Sequence, residues 1–207
     1  MPYLNQCTQI PEPVDCRILT AALDLFVETG YHKMSIHEIQ RRANVSIGSI
    51  YNHFGGKEGV ARALHQHILR ELEDMIDRVC SGIDSPLHCC EAIIAKLFEH
   101  TETHRNIIAF AFHAKHSDFL PDEPLLCHSA PFSRMRSIVE EAMARGEIRE
   151  MNPWVATSSV FGGAIRLIQL RLDGVIDEPL SGLHEQLMDA VLGGIVPGRS
   201  PKKTAAG

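Results

Sequence analysis

Residues 35–54 read SIHEIQRRANVSIGSIYNHF, and this stretch decides the fold. Ser35, with Glu38 three residues later, forms the S-x-x-E pattern that caps the start of a helix, and Ser46 offers a second helix start. Asn44 lies between the two predicted helices and tolerates the left-handed conformation that a tight turn requires. The pattern therefore predicts two short helices that are separated by a turn.

Longer helices are predicted on both sides of this pair. Apolar residues at helical spacing run from about Val14 to Thr29, and Gly30 follows as a C-terminal cap. Gly55-Gly56 break the chain before another apolar pattern that runs from Lys57 to about Val79. Two short helices packed on a longer first helix form the helix-turn-helix arrangement, in which the second short helix enters the major groove of DNA.

The rest of the chain also shows helical periodicity, and no stretch alternates convincingly for a strand. Further helix starts are predicted near Pro86, His104, Pro131, Pro153 and Ser181. A long connection with three prolines is predicted from Asp118 to Pro131, and connections of this length are often functional or mobile. The predicted fold class is all-α, with about nine helices.

Four segments describe the predicted organisation of the chain. Residues 14–58 form a three-helix DNA-binding head, and residues 59–197 form a C-terminal helical domain. Loose ends are expected at 1–13, which contains three prolines, and at 198–207, which is rich in Lys, Ala and Gly.

The total charge of −6 conceals a basic segment in the predicted head. Between Lys33 and Lys57 four basic side chains stand against one acid, Glu38, so this segment carries +3 and the rest of the chain −9. Because attraction to phosphate is local, a basic head on an acidic body suits a protein that binds DNA.

Membrane and enzyme functions find little support. The longest apolar-leaning stretch, Trp154 to Leu170, is interrupted by polar residues, and the N-terminus lacks the features of a signal peptide. We therefore predict a cytoplasmic protein. The sequence contains no G-x-S-x-G, P-loop or H-E-x-x-H motif, so we predict no enzymatic activity and no cofactor.

Cysteines and histidines leave two alternatives open. The six cysteines form no C-x-x-C pair, which favours reduced, buried thiols over a redox switch. Of the twelve histidines, His100 and His104 share a helix face at a spacing that suits metal or haem sensing. The polar residues around them, such as Glu99 and Thr101, instead indicate a helix end in water.

The order of residues from 18 to 58 resembles the TetR family of transcriptional regulators. The matching motifs are Ala22-x-x-Leu25-Phe26-x-x-x-Gly30-Tyr31, Ser35-Ile36-x-x-Ile39, the run from Ala43 to Phe54, and Lys57-Glu58. Three mild departures are Ser35 where Thr is common, Gln40 where Ala is common and Asn44 where Gly is common. The resemblance covers roughly the first 60 residues, and the remaining chain agrees only in length and helix count. It implies a homodimeric repressor that binds a pseudo-palindromic double-stranded DNA operator and is released by a small-molecule effector.

The predicted DNA-binding residues lie on the two short helices and at the start of the fourth helix. Hydroxyl groups at Ser46, Ser49 and Tyr51 can reach phosphates or base edges, and Gly48 permits close approach to the DNA backbone. Lys57 is predicted to clamp a phosphate. The full predicted set is Ser35, His37, Arg42, Ser46, Ile47, Gly48, Ser49, Tyr51, His53 and Lys57.

Three members of this set have an open alternative. Ile47 either contacts a thymine methyl or packs inward, and Tyr51 either faces the groove or is partly buried against the first helix. His37 matches a position that contacts DNA in family relatives, but the residue alone is equally consistent with solvated surface.

By the same resemblance, the C-terminal domain binds an effector among its middle helices, and effector binding moves the fourth helix. The predicted lining suits an apolar or aromatic effector and consists of Leu97, Phe98, Phe110, His113, Met135, Phe161 and Arg166. Apolar residues at helical spacing are also typical of an ordinary core.

The predicted dimer surface is formed by the last two helices, Trp154 to Leu172 and Ser181 to Ile195, although a purely intramolecular core remains open. Control by a protein partner, and activation instead of repression, remain alternatives.

Overall fold

Helices account for the regular structure of the residues that the computed structural model describes, which are Leu4 and residues 12–114, 118–123 and 126–198. This part of the chain contains nine α-helices and no strand. The helices are α1 (Val14–Thr29), α2 (Ile36–Ala43), α3 (Ile47–Phe54), α4 (Lys57–Cys80), α5 (Pro86–Thr103), α6 (Arg105–Phe112), α7 (Ala130–Ala144), α8 (Pro153–Leu172) and α9 (His184–Ile195). Short 3-10 turns lie at Leu126–His128 and Leu180–Leu183. The prediction of an all-α fold is confirmed.

Local capping groups explain where the first helices begin and end. The N–H of Gly30 donates to the Phe26 carbonyl at 2.8 Å, with Gly30 at φ 78°, and closes α1. Ser35 and Glu38 form the predicted capping box at the start of α2. Asn44 ends α2 in the left-handed conformation at φ 51°. These capping groups act within a few residues, which is why the sequence predicts these boundaries well.

The chain divides into two compact units. The first unit contains Met1–Asp74 and His104–Ser129, and its core is made where α1 packs on α2, α3 and α6. Ile18, Ala22, Ile39 and Ile50 have no exposed surface in this core. The three head helices therefore share one apolar centre, as the helix-turn-helix prediction requires.

An aromatic cluster extends this first core toward α6. The ring of Phe26 on α1 lies 4.8 Å from Phe110 on α6 and 4.9 Å from Phe119, which follows α6. Asn106 of α6 donates to the Asp24 carboxylate of α1 at 2.8 Å. By packing, α6 and residue 119 thus belong to the same unit as the head.

The second unit contains Met75–Thr103 and Ala130–Gly207. Its core forms where α5 packs on α7, α8 and α9, with Ile93, Ile94, Val139 and Val160 fully buried. The carboxylate of Glu147 accepts hydrogen bonds from the Ser85 hydroxyl at 2.7 Å and from the Leu87 N–H at 2.8 Å, which caps the start of α5. Arg171 of α8 binds Glu102 through two hydrogen bonds of 2.8 and 2.9 Å.

One predicted helix boundary differs from the structure. The last helix begins at His184 instead of Ser181, because a 3-10 turn at Leu180–Leu183 precedes it. Helix α4 runs without a break from Lys57 to Cys80 and contributes residues to both units. The predicted boundary at residue 58, between the DNA-binding domain and the C-terminal domain, stays a prediction. The predicted loose ends lie almost entirely outside the described residues. No helix of the described part is both long and apolar enough to cross a membrane.

Candidate DNA-binding face

Helix α3 turns one face inward and presents the other to solvent. Ile50 in the middle of the helix has no exposed surface, whereas 54% of Tyr51 is exposed. Ser46, Gly48 and His53 are exposed as well. The face that the sequence predicts to meet DNA is therefore open, and the burial alternative for Tyr51 does not describe this structure.

The turn between α2 and α3 is held from both sides. Arg17 of α1 donates to the Asn44 carbonyl at 3.3 Å, and the Gln40 side-chain amide donates to the Val45 carbonyl at 2.9 Å. Gln40, a departure from the common family residue, therefore has a role that alanine cannot perform. Because the carbonyl groups of the turn are bound, the angle between the two short helices is restricted.

The serine hydroxyls of the predicted site are engaged in helix capping. Ser35 donates to the Glu38 carboxylate at 2.7 Å, and this bond holds the pKa of Glu38 below its usual value. Ser46 accepts the Ser49 N–H at 3.1 Å, and the two hydroxyl oxygens lie 2.8 Å apart. Their first role is thus to fix the starts of α2 and α3, and direct contact with DNA remains a prediction.

Lys57 lies in the first turn of α4, where its ammonium group contacts an aromatic ring. The Nζ atom is 4.3 Å from the ring centroid of Tyr31 and 3.5 Å from the His32 carbonyl oxygen. Partial burial lowers the pKa of this ammonium group. The contacts restrict the side chain at the N-terminus of a helix, where an anion is also favoured by the helix dipole.

Arg42 forms an ion pair with a residue that the sequence analysis did not single out. Its guanidinium binds the Glu28 carboxylate of α1 at 2.6 and 2.8 Å and lowers the pKa of that carboxylate. This pair neutralises one of the four positive charges of the basic segment. Arg42 is exposed, as His37 and Arg41 are, and its guanidinium keeps N–H donors beyond the two that bind Glu28, so its contact with DNA stays a prediction.

Gly59 is a structural residue that sequence reasoning missed. A Cβ atom at Gly59 would lie 2.8 Å from the carbonyl carbon of Phe54 and would collide with the carbonyl oxygen. The end of α3 thus sits against the first turn of α4 in a space that only glycine leaves open. The only available signal was a third glycine so soon after Gly55-Gly56, and that signal does not predict a contact.

The predicted effector-lining residues fall into buried and exposed groups. The apolar members are all buried, with 3% or less of their surface exposed: Leu97, Phe98, Phe110, Met135 and Phe161. The two polar members, His113 and Arg166, are exposed. Phe110 and His113 belong to the first unit and the other five to the second, so the set is not assembled within one unit. The lining remains a prediction.

The two histidines of the predicted pair do not share a helix, because α5 ends at Thr103 and His104 precedes the first residue of α6. His100 and Thr101 are buried, with 2% and 0% of their surface exposed, and Thr101 donates to the Leu97 carbonyl at 2.8 Å. The predicted helix end is present, with Glu102 and Thr103 exposed, but His100 itself is buried in the core of the second unit. Within the described residues, no group of three or more His, Cys, Asp or Glu side chains is arranged to hold a metal ion.

The described cysteines, Cys16, Cys80, Cys89, Cys90 and Cys127, are free thiols, while Cys7 lies outside the described residues. Burial raises the pKa of the Cys80 thiol to about 12 and also raises the pKa of Cys90. Because the thiolate is the reactive form, burial makes both groups poor nucleophiles.

Comparison with known proteins places the head in a family. Residues 18–64 match the family described as bacterial regulatory proteins, tetR family. The chain is 25% identical over 146 residues to the uncharacterized HTH-type transcriptional regulator YvdT of Bacillus subtilis, covering 70% of this chain and 75% of that one. It is 36% identical over 80 residues to the regulator HbdR of Aromatoleum, where the match covers 38% of this chain but only 35% of HbdR.

Solved structures share this type of fold over most of the chain at low sequence identity. The fatty acid degradation regulator FadR from Bacillus halodurans superposes with a TM-score of 0.77 and 18% identity, covering 90% of this chain and 98% of that chain. A transcriptional regulator FadR from Bacillus subtilis, solved in complex with stearoyl-CoA, superposes with a TM-score of 0.70 and 20% identity, covering 86% of this chain and 98% of that chain. The matched head, the sequence relatives and the shared fold lead to one conclusion: the chain is a DNA-binding transcriptional regulator of the TetR family.

Proposed function

We propose that this protein is a cytoplasmic repressor that reads a pseudo-palindromic operator with α3 and leaves it when a small effector binds. The observation that carries the DNA part is the exposed face of α3, with Tyr51, Gly48 and His53 outward and Ile50 fully buried. Lys57 stands at the start of α4, near the end of this short helix. The arrangement suits base contacts from α3 and phosphate contacts from its flanks.

The protein acts as a homodimer in this proposal, with α8 and α9 as the interface. Trp154 and Val155 on α8 are 49% and 55% exposed, which is unusual for large apolar side chains. A Cβ atom at Gly162 of α8 or Gly194 of α9 would meet no atom of the described residues within 4 Å. Open glycines beside exposed apolar residues allow close approach of a second pair of helices. Gly163, in contrast, accommodates Leu187 of α9 within the same chain.

The effector in this proposal is apolar or aromatic. The second unit has an aliphatic and aromatic interior that includes Leu97, Phe98 and Phe161. The stearoyl-CoA complex of the Bacillus subtilis FadR suggests long-chain acyl thioesters as the first compounds to test. Because that likeness is one of fold at 20% identity, planar aromatic compounds belong in the same panel.

The central experiment is selection of bound sequences from random double-stranded DNA, followed by gel-shift titration with the compound panel. We expect an enriched pseudo-palindrome, steep weakening with salt, and release of the operator by at least one compound class. Sedimentation at micromolar concentration is expected to show a dimer. Failure to enrich any sequence would contradict the proposed binding of an operator. Release of the protein from DNA by a protein fraction instead of a compound would favour control by a protein partner. An absorption spectrum and metal analysis of the purified protein test haem or metal sensing.

A further inference from the structure

A stack of side chains joins the connection after α6 to the start of α4. Phe119 lies in that connection, and its ring stacks on Tyr31 with the centroids 4.9 Å apart and the planes at 22°. Tyr31 lies in the turn between α1 and α2, and Lys57 places its Nζ atom 4.3 Å from the centroid of the same ring. All three residues belong to the first unit. Tyr31 therefore contacts both the connection and the predicted phosphate clamp.

Phe119 is firmly held at its end of the stack. Only 7% of its surface is exposed, and its ring also lies 4.9 Å from Phe26 of α1. The same connection is tied to α4 a second time, because Arg62 binds Glu123 at 3.4 Å and Glu58 at 2.9 Å. The connection is thus bound to the first turns of α4, which begins at Lys57. A displacement of Phe119 would therefore remove the contact that holds the Tyr31 ring in place.

We propose that Phe119 is a positioning residue for DNA binding, which fixes the Lys57 ammonium group through the ring of Tyr31. The proposal rests on the proposed contact between Lys57 and a DNA phosphate. A free lysine side chain loses much rotational entropy when it is ordered on a phosphate, and a partner that orders it beforehand removes part of that cost. An ammonium group has three N–H donors, so the contact with the His32 carbonyl leaves donors for a phosphate.

This arrangement makes operator affinity depend on the connection that follows α6. Tyr31 and Lys57 are both half-buried, and the attraction between the ammonium group and the ring holds only while the ring stays beside it. Phe119 supplies that restraint, since it is buried and packs on both Tyr31 and Phe26. Any event that withdraws Phe119 is expected to release Lys57 and weaken operator binding.

A double-mutant cycle tests the proposal on the full chain with the selected operator. Phe119→Leu keeps an apolar side chain but removes the stacked ring, and we expect a Kd about threefold to tenfold higher. In a Lys57→Met background the same change is expected to alter Kd less than about twofold. Phe119→Leu is also expected to flatten the dependence of log K on log salt, by up to about 0.9 for each head.

Two controls separate positioning from general packing. Phe112→Leu changes a phenylalanine of α6 that is equally buried, with 8% of its surface exposed, but is not stacked on Tyr31, and is expected to leave Kd within about twofold. Phe119→Tyr keeps the stacked ring and is therefore expected to retain wild-type operator affinity and salt dependence.

Three results would overturn the proposal. One is that Phe119→Leu lowers operator affinity equally in the wild-type and Lys57→Met backgrounds. Another is that Phe119→Leu alone binds the operator with wild-type affinity. The third is unchanged affinity of Lys57→Met itself. If Tyr51→Ala still weakens binding in that last case, the proposed operator function stands without this positioning role, whereas a wild-type chain that selects no DNA would refute both.

Discussion

Gly48→Ala is expected to strengthen the fold and weaken operator binding at the same time. Gly48 is exposed in α3, and a Cβ atom there would meet only the Ser46 hydroxyl oxygen, at an ordinary distance of 3.7 Å. Nothing in the described part of the chain therefore requires glycine at this position. The remaining reason for glycine is a surface that approaches from outside, which the proposed function identifies as the DNA backbone.

The two effects have magnitudes that can be measured separately. Alanine is favoured over glycine within a helix by about 0.5–1 kcal/mol, which corresponds to a rise in Tm of about 1–4 °C for a chain of this size. A methyl group in a close interface costs about 1–3 kcal/mol, or at least about a fivefold increase in Kd. Opposite signs in stability and in affinity cannot be explained by partial unfolding.

Gly59→Ala is the matched control for this prediction. The new methyl group would collide with the Phe54 carbonyl, which belongs to the backbone and cannot rotate away as a side chain can. We expect a loss of about 1–3 kcal/mol or more and a clearly lower Tm. Affinity should fall with stability in this variant, whereas the two should diverge in Gly48→Ala.

Thermal unfolding monitored by circular dichroism, together with operator titration at one fixed salt concentration, checks both variants. Wild-type affinity of Gly48→Ala would refute the inference that DNA approaches this glycine. An unchanged Tm of Gly59→Ala would show that the junction of α3 and α4 has more room than the structure indicates.

Three further predictions address other surfaces. Tyr51→Ala, which removes an exposed ring, should weaken operator binding about tenfold without lowering Tm, and unchanged affinity in a gel shift would remove Tyr51 from the DNA-binding face. Gly162→Arg places a large charged side chain in the open strip of α8 and should shift the sedimenting species to a monomer at micromolar concentration; a persistent dimer would contradict the α8–α9 interface. Burial lowers the pKa of His65 below 6.5, so the unfolded state binds the proton more readily, and stability should fall as the pH drops below about 6.5. His65→Gln should show a smaller loss in denaturant unfolding between pH 7 and pH 5, and an equal loss in both proteins would exclude His65.

The sequence by itself predicted the helices of the head. Ser35 with Glu38, Gly30 and Asn44 act on backbone groups only a few residues away, so their effect does not depend on the rest of the fold. The same reasoning predicted that Ile50 is buried, since apolar residues at helical spacing define an inner face. The order of the motif residues was enough to indicate the family.

Only the tertiary structure decided which distant side chains meet. The Arg42–Glu28 pair, the buried His100 and the stack of Phe119 on Tyr31 all depend on how helices pack, and no local pattern encodes them. Gly59 illustrates the same limit, because its need for glycine arises from the path of α3 against α4. Helix caps are decided within one turn of chain, whereas packing contacts depend on residues far apart in sequence, and this is why the sequence predicted the DNA-reading helix but not the contacts that hold Lys57 beside it.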